Sequence, residues 1–117
     1  MSVRPMQVVV LDDSPVFAMF ATNAVKMSLP GASVVQCATY SEATAHLRGS
    51  DCGLIVCGYG VGEDMTAHDI RSVSSAPMVL LTGRPLDGIN LPANSHLVMK
   101  HDGPDALRAA IGAAVAG

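Results

Sequence analysis

Hydrophobic residues along the chain form short continuous runs that alternate with stretches of helical spacing. The runs are rich in valine, isoleucine and leucine, which is typical of strands buried on both faces of a sheet. The predicted strands are residues 7–11, 33–38, 54–57, 77–82 and 96–99.

Apolar residues at helical spacing follow most of these strands. Ser14-Pro15 predicts a cap and a first-turn proline for the first helix, and Thr39 with Glu42 predicts a capping box for the second. The second helix is expected to end near residue 48. A weaker helix is expected over residues 65–73, and a closing helix opens at residue 104.

Strands that alternate with helices through short connections predict a parallel sheet covered on both faces. Right-handed crossovers favour an α/β, doubly wound, five-stranded sheet of order 2-1-3-4-5 in one domain, residues 1–117. The segment GRPLDGINLPANS (83–95) contains two prolines and a central glycine. The fourth helix, expected in this segment, is therefore predicted to be shortened or replaced by a loop.

Composition and charge exclude several classes of function. A net charge of −3 with only seven basic residues disfavours nucleic acid binding, and no apolar run is long enough to span a membrane. The N-terminal residues MSVRPMQ leave no room for a signal peptide before the first strand. Cys37, Cys52 and Cys57 have irregular spacing, so we expect reduced thiols and a cytoplasmic protein.

Polar residues follow the predicted strands where ligands gather in such sheets, at the carboxyl ends. Asp12 and Asp13 follow the first strand, Thr82 ends the fourth, and Lys100 follows the fifth. Each residue alone has an ordinary structural role as a cap, a loop contact or a solvated end. Their convergence at one edge predicts a functional site there.

This arrangement resembles the receiver domain of two-component response regulators over essentially the whole chain. The stretches VVVLDDSP, PMVLLTG and HLVMK carry the resemblance. It implies that Asp12 and Asp13 are the carboxylates near Mg²⁺. It also implies that Thr82 is the hydroxyl that follows the phosphoryl group and that Lys100 is the ammonium that contacts it.

The residue at the phosphoacceptor position departs from the receiver pattern. Strand length places Gly58 there, whereas matching Gly62 and Asp64 to the following loop places Cys57 there. Neither residue is a carboxylate, so the chain resembles a degenerate pseudo-receiver without an acyl-phosphate nucleophile. The expected cofactor content is none. Two interpretations of Asp12 and Asp13 are open. Either they bind Mg²⁺ weakly or, as we favour, they keep a helix cap and pair with Lys100.

Two further departures concern signalling. The switch aromatic of receivers is Leu97 here, and the proline that follows the lysine is His101. We therefore expect a non-enzymatic, phosphorylation-independent module that docks to a protein partner: a histidine kinase, an output domain or its own second copy. The altered segment is expected to expose more of strand four and Leu97 than is usual in receivers. Leu86, Ile89 and Leu91 either cover that gap or contact the partner.

Two alternatives remain open. Arg84 and Asp87 form an RxxD sequence that resembles a motif of some cyclic di-GMP sites, where arginine binds phosphate or guanine. A local Arg–Asp pair that closes the loop explains the same residues. In the second alternative the chain is a phosphorylated receiver whose acceptor is displaced to Glu63 or Asp64.

Overall fold

A computed structural model describes residues 6–49, 51–58, 67–83 and 91–116. The strands are β1 (Gln7–Leu11), β2 (Ser33–Cys37), β3 (Cys52–Gly58), β4 (Met78–Thr82) and β5 (Ser95–Met99). The helices are α1 (Pro15–Ser28), α2 (Tyr40–Gly49), α3 (Ala67–Arg71) and α4 (Pro104–Ala116), with a 3-10 turn at Lys100–Asp102. All strands pair in parallel in the order β2-β1-β3-β4-β5, which confirms the predicted doubly wound sheet.

The core consists of two layers, one on each face of the sheet. Alternate residues of β1 face opposite layers because successive side chains of a strand point to opposite sides. Val8 and Val10 pack with α1 and α4, whereas Val9 and Leu11 pack with α2 and α3. These four side chains are almost completely buried, which explains the continuous apolar run. Within the described residues, no helix has the length and apolar character needed to cross a membrane.

The starts of the first two helices show which capping signals operate. At α1, Pro15 occupies the first turn as predicted, but the Ser14 hydroxyl makes no capping hydrogen bond within the described residues. Instead, the Ser14 N–H donates to the Asp12 carboxylate at 2.9 Å. At α2, the Glu42 N–H donates to the Thr39 hydroxyl at 3.2 Å, as a capping box requires.

β3 and α3 differ most in extent from the predictions, while β2, β4 and β5 each differ by one residue at one end. β3 begins at Cys52, two residues earlier than predicted, because its first residues pair with the start of β1 across an irregular register. Gly53 fits there beneath Met6, since an added Cβ would lie 2.7 Å from the Met6 Cγ. Of the helix predicted over 65–73, the structure shows Ala67–Arg71, while residues 65 and 66 are outside the described residues.

The connection between β4 and β5 is described only in part. Residues 84–90 are outside the described residues, so the predicted shortening of the fourth helix is not tested there; residues 91–94 contain no helix. The predicted exposure of strand four is wrong, because every residue of β4 is buried. β4 lies between two other strands, and Ile70 and Leu91 belong to the layer that covers Met78 and Leu80.

Candidate functional site at the carboxyl edge of the sheet

Asp12 lies at the end of β1 and is the most buried acid of this edge, with 3% of its surface exposed. One carboxylate oxygen, Oδ1, accepts the Ser14 N–H and so fixes the turn into α1. The other, Oδ2, lies 3.3 Å from the Lys100 Nζ. No well-aligned hydrogen bond reaches Oδ2 in the described part of the chain. The contact between Asp12 and Lys100 is therefore an ion pair without a hydrogen bond.

Lys100 contacts an aromatic ring as well as the carboxylate. Its Nζ lies 4.1 Å from the centre of the Phe17 ring, within the range of a cation–π interaction. Phe17 is in turn held edge-on to Phe20, with 6.5 Å between ring centres. The ammonium of Lys100 is thus fixed between an acid from β1 and a ring from α1. Sequence reasoning missed this role of Phe17. The sequence shows only an aromatic residue on an apolar helix face, in the first turn of α1.

Asp13, the residue after Asp12, is exposed. Together with Asp12 it lines an open pocket of about 200 Å³, which Gln36 and Glu42 also border. Within the described ranges, no three His, Cys, Asp or Glu residues come together as possible metal ligands. The donor set fits a divalent ion poorly, because both Asp12 oxygens are engaged and a hard cation needs more anionic oxygens than Asp13 adds.

The register of β3 determines which of its last two residues, Cys57 or Gly58, is level with Asp12. Cys57 lies opposite Leu11 of β1, so Gly58 is level with Asp12, the next residue along. Gly58 also lies opposite Leu81, the residue before Thr82.

Cys57 faces the core layer of α2 and α3 and is 2% exposed. Burial, with the negative charge of Asp12, raises the pKa of the Cys57 thiol to about 12. Its Sγ–H donates to the Gly58 carbonyl at 3.4 Å. Cys57 is therefore a protonated core thiol at neutral pH, which excludes a reactive thiolate.

Thr82 and Leu97 are the remaining predicted residues with described positions. Thr82 ends β4, is 3% exposed and lies opposite Met99, the residue before Lys100. Leu97 lies on β5, at the edge of the sheet, and 37% of its surface is exposed. The carboxyl edge therefore unites Asp12, Gly58 and Thr82 with the lysine, while Leu97 lies on the outer strand.

Six residues of the sequence hypotheses are outside the described residues, among them Leu86 and Ile89 of the expected partner contact. Arg84 and Asp87 of the cyclic di-GMP hypothesis belong to residues 84–90. Glu63 and Asp64, the candidates for a displaced acceptor, belong to residues 59–66. Both alternatives stay predictions from sequence.

Comparison with known proteins identifies the fold. No family model and no curated protein matches the sequence. A response regulator receiver domain protein of Bacillus halodurans has 21% identity and a TM-score of 0.76, over 95% of this chain and 97% of its own. A response regulator of Thermotoga maritima has 18% identity and a TM-score of 0.79, over 97% of this chain and 100% of its own. The chain therefore has the fold of receiver domains.

A third solved structure contains a modified site. It is a response regulator of Burkholderia pseudomallei with a phosphorylated aspartic acid, a calcium ion and citrate. Its identity to this chain is 21% and its TM-score is 0.69, over 90% of this chain and 65% of its own. At these identities the likeness concerns the fold, and the chemistry of the edge rests on the residues described above.

Proposed function

We propose that this chain is a signalling module with the receiver fold that acts by docking to another protein, without phosphorylation and without enzymatic activity. The similarity of its fold to response regulator receiver domains supports a role in signalling. The composition of the carboxyl edge supports independence from phosphoryl transfer.

Gly58 carries the proposal. It is level with Asp12 on the neighbouring strand, where the resemblance to receivers requires the phosphoacceptor carboxylate. Glycine has no side chain that can form an acyl phosphate. Cys57, the other candidate for this position, is buried in a core layer with a pKa of about 12.

The Lys100 contacts support the same conclusion. In a phosphorylated receiver this ammonium would contact the phosphoryl group, as the resemblance implies. Here its charge is already matched by Asp12 and by the Phe17 ring. Asp12 and Lys100 thus neutralise each other without a ligand, so the lysine needs no phosphoryl group to balance its charge.

The exposed side of β5 is the proposed docking face. Leu97 is exposed there, at the position of the receiver switch aromatic, and it has no hydroxyl or ring to turn inward. A fixed apolar side chain on an edge strand suits constitutive contact with a protein partner such as a histidine kinase or an output domain. A cytoplasmic location belongs to this proposal, since the three cysteines are free thiols.

Intact-mass spectrometry after incubation with acetyl phosphate and Mg²⁺ tests the proposal. We expect no phosphoryl adduct on the native chain. The matched variant Gly58→Asp restores a carboxylate level with Asp12 and is expected to gain an adduct. An adduct on the native chain would refute the proposal, and its mapping to Glu63 or Asp64 would establish the displaced acceptor instead.

A further inference from the structure

β2 is an outer strand of the sheet, and its pairing with β1 shows which of its backbone groups are free. The Ser33 N–H donates to the Met6 carbonyl at 2.8 Å, and the Cys37 carbonyl accepts the Asp12 N–H at 3.1 Å. The backbone groups of successive residues in a strand point to opposite sides within the sheet. The odd-numbered residues of β2 therefore direct their N–H and C=O groups towards β1.

The N–H and C=O groups of Val34 and Gln36 consequently lie along the open edge of β2. No hydrogen bond reaches these groups in the part of the chain that the structure describes. Gln36 is exposed and Val34 and Val35 are only half-buried, so solvent reaches this edge. A row of free donors and acceptors of this kind is a template for a further strand.

The composition of β2 does not protect this edge. Edge strands of monomeric proteins commonly carry a lysine, a proline or a bulge that prevents a further strand from joining. Residues 27–41 contain no charged residue, and their only proline, Pro30, precedes the strand. The register with β1 runs without interruption from Ser33 to Cys37, so β2 contains no bulge.

The sequence around Val35 is nearly symmetric in side-chain size. In the stretch ASVVQCA (32–38), alanine stands at both ends, and Ser33 mirrors Cys37 across the centre. In an antiparallel pair centred on Val35, alanine therefore lies opposite alanine, and serine lies opposite a cysteine of similar size. A twofold dimer requires a surface that is complementary to itself in this way.

We propose that β2 pairs with β2 of a second copy, antiparallel and centred on Val35, so that two five-stranded sheets become continuous. In this register Val34 and Gln36 of opposite copies exchange both backbone hydrogen bonds on each side of the twofold axis. The two Val35 residues form the pair without hydrogen bonds, where Cα atoms are about 4.5 Å apart and β-branched side chains contact each other.

This contact leaves the docking face on β5 free and does not depend on the absence of phosphorylation. β2 and β5 are the two outer strands, so a dimer joined at β2 carries β5 with its exposed Leu97 at both ends. Such a dimer presents two docking faces at once, which strengthens binding to a partner that is itself dimeric. Short strands bury less than the roughly 1,200 Å² of a stable complex, so we expect dissociation in the high micromolar range.

Sedimentation velocity of the full 117-residue chain, from about 10 µM to about 1 mM, tests the proposal. Gln36→Pro should weaken dimerisation about tenfold or more, because it removes the outward N–H and places ring atoms at the contact. The matched control is Gln36→Ala, which loses the same side-chain hydrogen bond to the Thr22 hydroxyl but keeps the N–H. It should change the dissociation constant by less than about twofold. Both variants should keep the circular dichroism spectrum of the native chain, since this N–H does not pair with β1.

Val35→Cys gives a second test, which holds even if the proline variant does not fold. The Cα separation of an antiparallel pair without hydrogen bonds lies within the range of about 4.4–6.8 Å that a disulfide requires. Mild oxidation should therefore link position 35 of one copy to position 35 of the second, and peptide mapping distinguishes this link from links of the native cysteines. Ser75→Cys, at an exposed position before β4, should give less than about a tenth as much covalent dimer.

Three results would overturn the proposal. The first is a native chain that stays monomeric at about 1 mM, which includes a chain whose β2 accepts a strand of a different protein only. The second is a dimer that Gln36→Pro and Gln36→Ala weaken equally. The third is a Val35→Cys variant whose intermolecular links do not join the two copies at position 35. None of these results bears on the mass-spectrometric test of phosphorylation.

Discussion

Replacement of Lys100 by methionine should destabilise the fold through the charge it leaves on Asp12. The Asp12 side chain is 1% exposed and Lys100 is 20% exposed, so the pair is neither fully buried nor on the surface. Removal of one partner costs roughly 3–5 kcal/mol in a buried pair, whereas an exposed pair contributes about 0–1 kcal/mol. For this geometry we expect a loss of about 2 kcal/mol in the free energy of unfolding.

The expected change in melting temperature follows from the size of the chain. At about 2.1 cal/mol/K per residue, 117 residues give an unfolding entropy of about 250 cal/mol/K, so 2 kcal/mol lowers Tm by about 8 °C. Methionine is unbranched like lysine but uncharged, so the loss reports the ion pair together with the cation–π contact. Lys26, the only other lysine, is exposed on α1, and Lys26→Met should change stability by less than about 0.5 kcal/mol.

A double-mutant cycle isolates the ion pair. Asp12→Asn keeps an oxygen that accepts the Ser14 N–H, and it removes the charge that Lys100 balances. We expect the double variant to be about 1–2 kcal/mol more stable than the sum of the single effects, measured by urea unfolding. A Lys100→Met variant within about 0.5 kcal/mol of the native chain, or strictly additive effects, would refute this reasoning.

Three further measurements address other residues. Because the pKa of Cys57 is raised to about 12, iodoacetamide at about pH 8 should modify it only after unfolding in urea. The pKa of Cys57 in the folded chain lies above its ordinary value of 9.0, so the stability that Cys57 contributes is complete below about pH 9 and is lost as the pH rises towards 12. Calorimetry with cyclic di-GMP should give no heat, whereas micromolar binding that Arg84→Ala abolishes would favour the nucleotide alternative. Replacing Leu86 and Ile89 by serine should leave Tm nearly unchanged and abolish capture of a protein partner, while a fall of several degrees with intact capture would place both side chains in the core.

The strands could be predicted where burial on both faces makes the apolar run continuous. Gln7–Leu11 matches its predicted bounds for this reason. The early start of β3 could not be predicted, because Cys52 and Gly53 form no apolar run and enter the sheet only through pairing with β1 and packing under Met6. The apolar run of β4 likewise predicts burial on both faces, and the greater exposure expected from the altered segment does not occur because Ile70 and Leu91 belong to the layer over this strand.

The candidate site also has features that the sequence predicts and features that it does not. Alternation of strands and helices was enough to bring Asp12, Thr82 and Lys100 to one edge, because parallel strands end on the same side. The different environments of Asp12 and Asp13 could not be predicted, since they depend on how the turn into α1 directs two adjacent side chains. The contact between Lys100 and Phe17 depends on how α1 lies across the sheet, which periodicity leaves undetermined.

The packing of α4 against α1 has a consequence for synthesis of the protein on the ribosome. Leu107 and Ile111 of α4 complete the core layer that α1 begins, and α4 packs against α1, which is made much earlier. A nascent chain that has released all five strands therefore still exposes an apolar sheet face until α4 emerges. Folding of this layer is governed by contacts of high sequence separation, which form slowly and leave the open sheet prone to aggregation in the meantime.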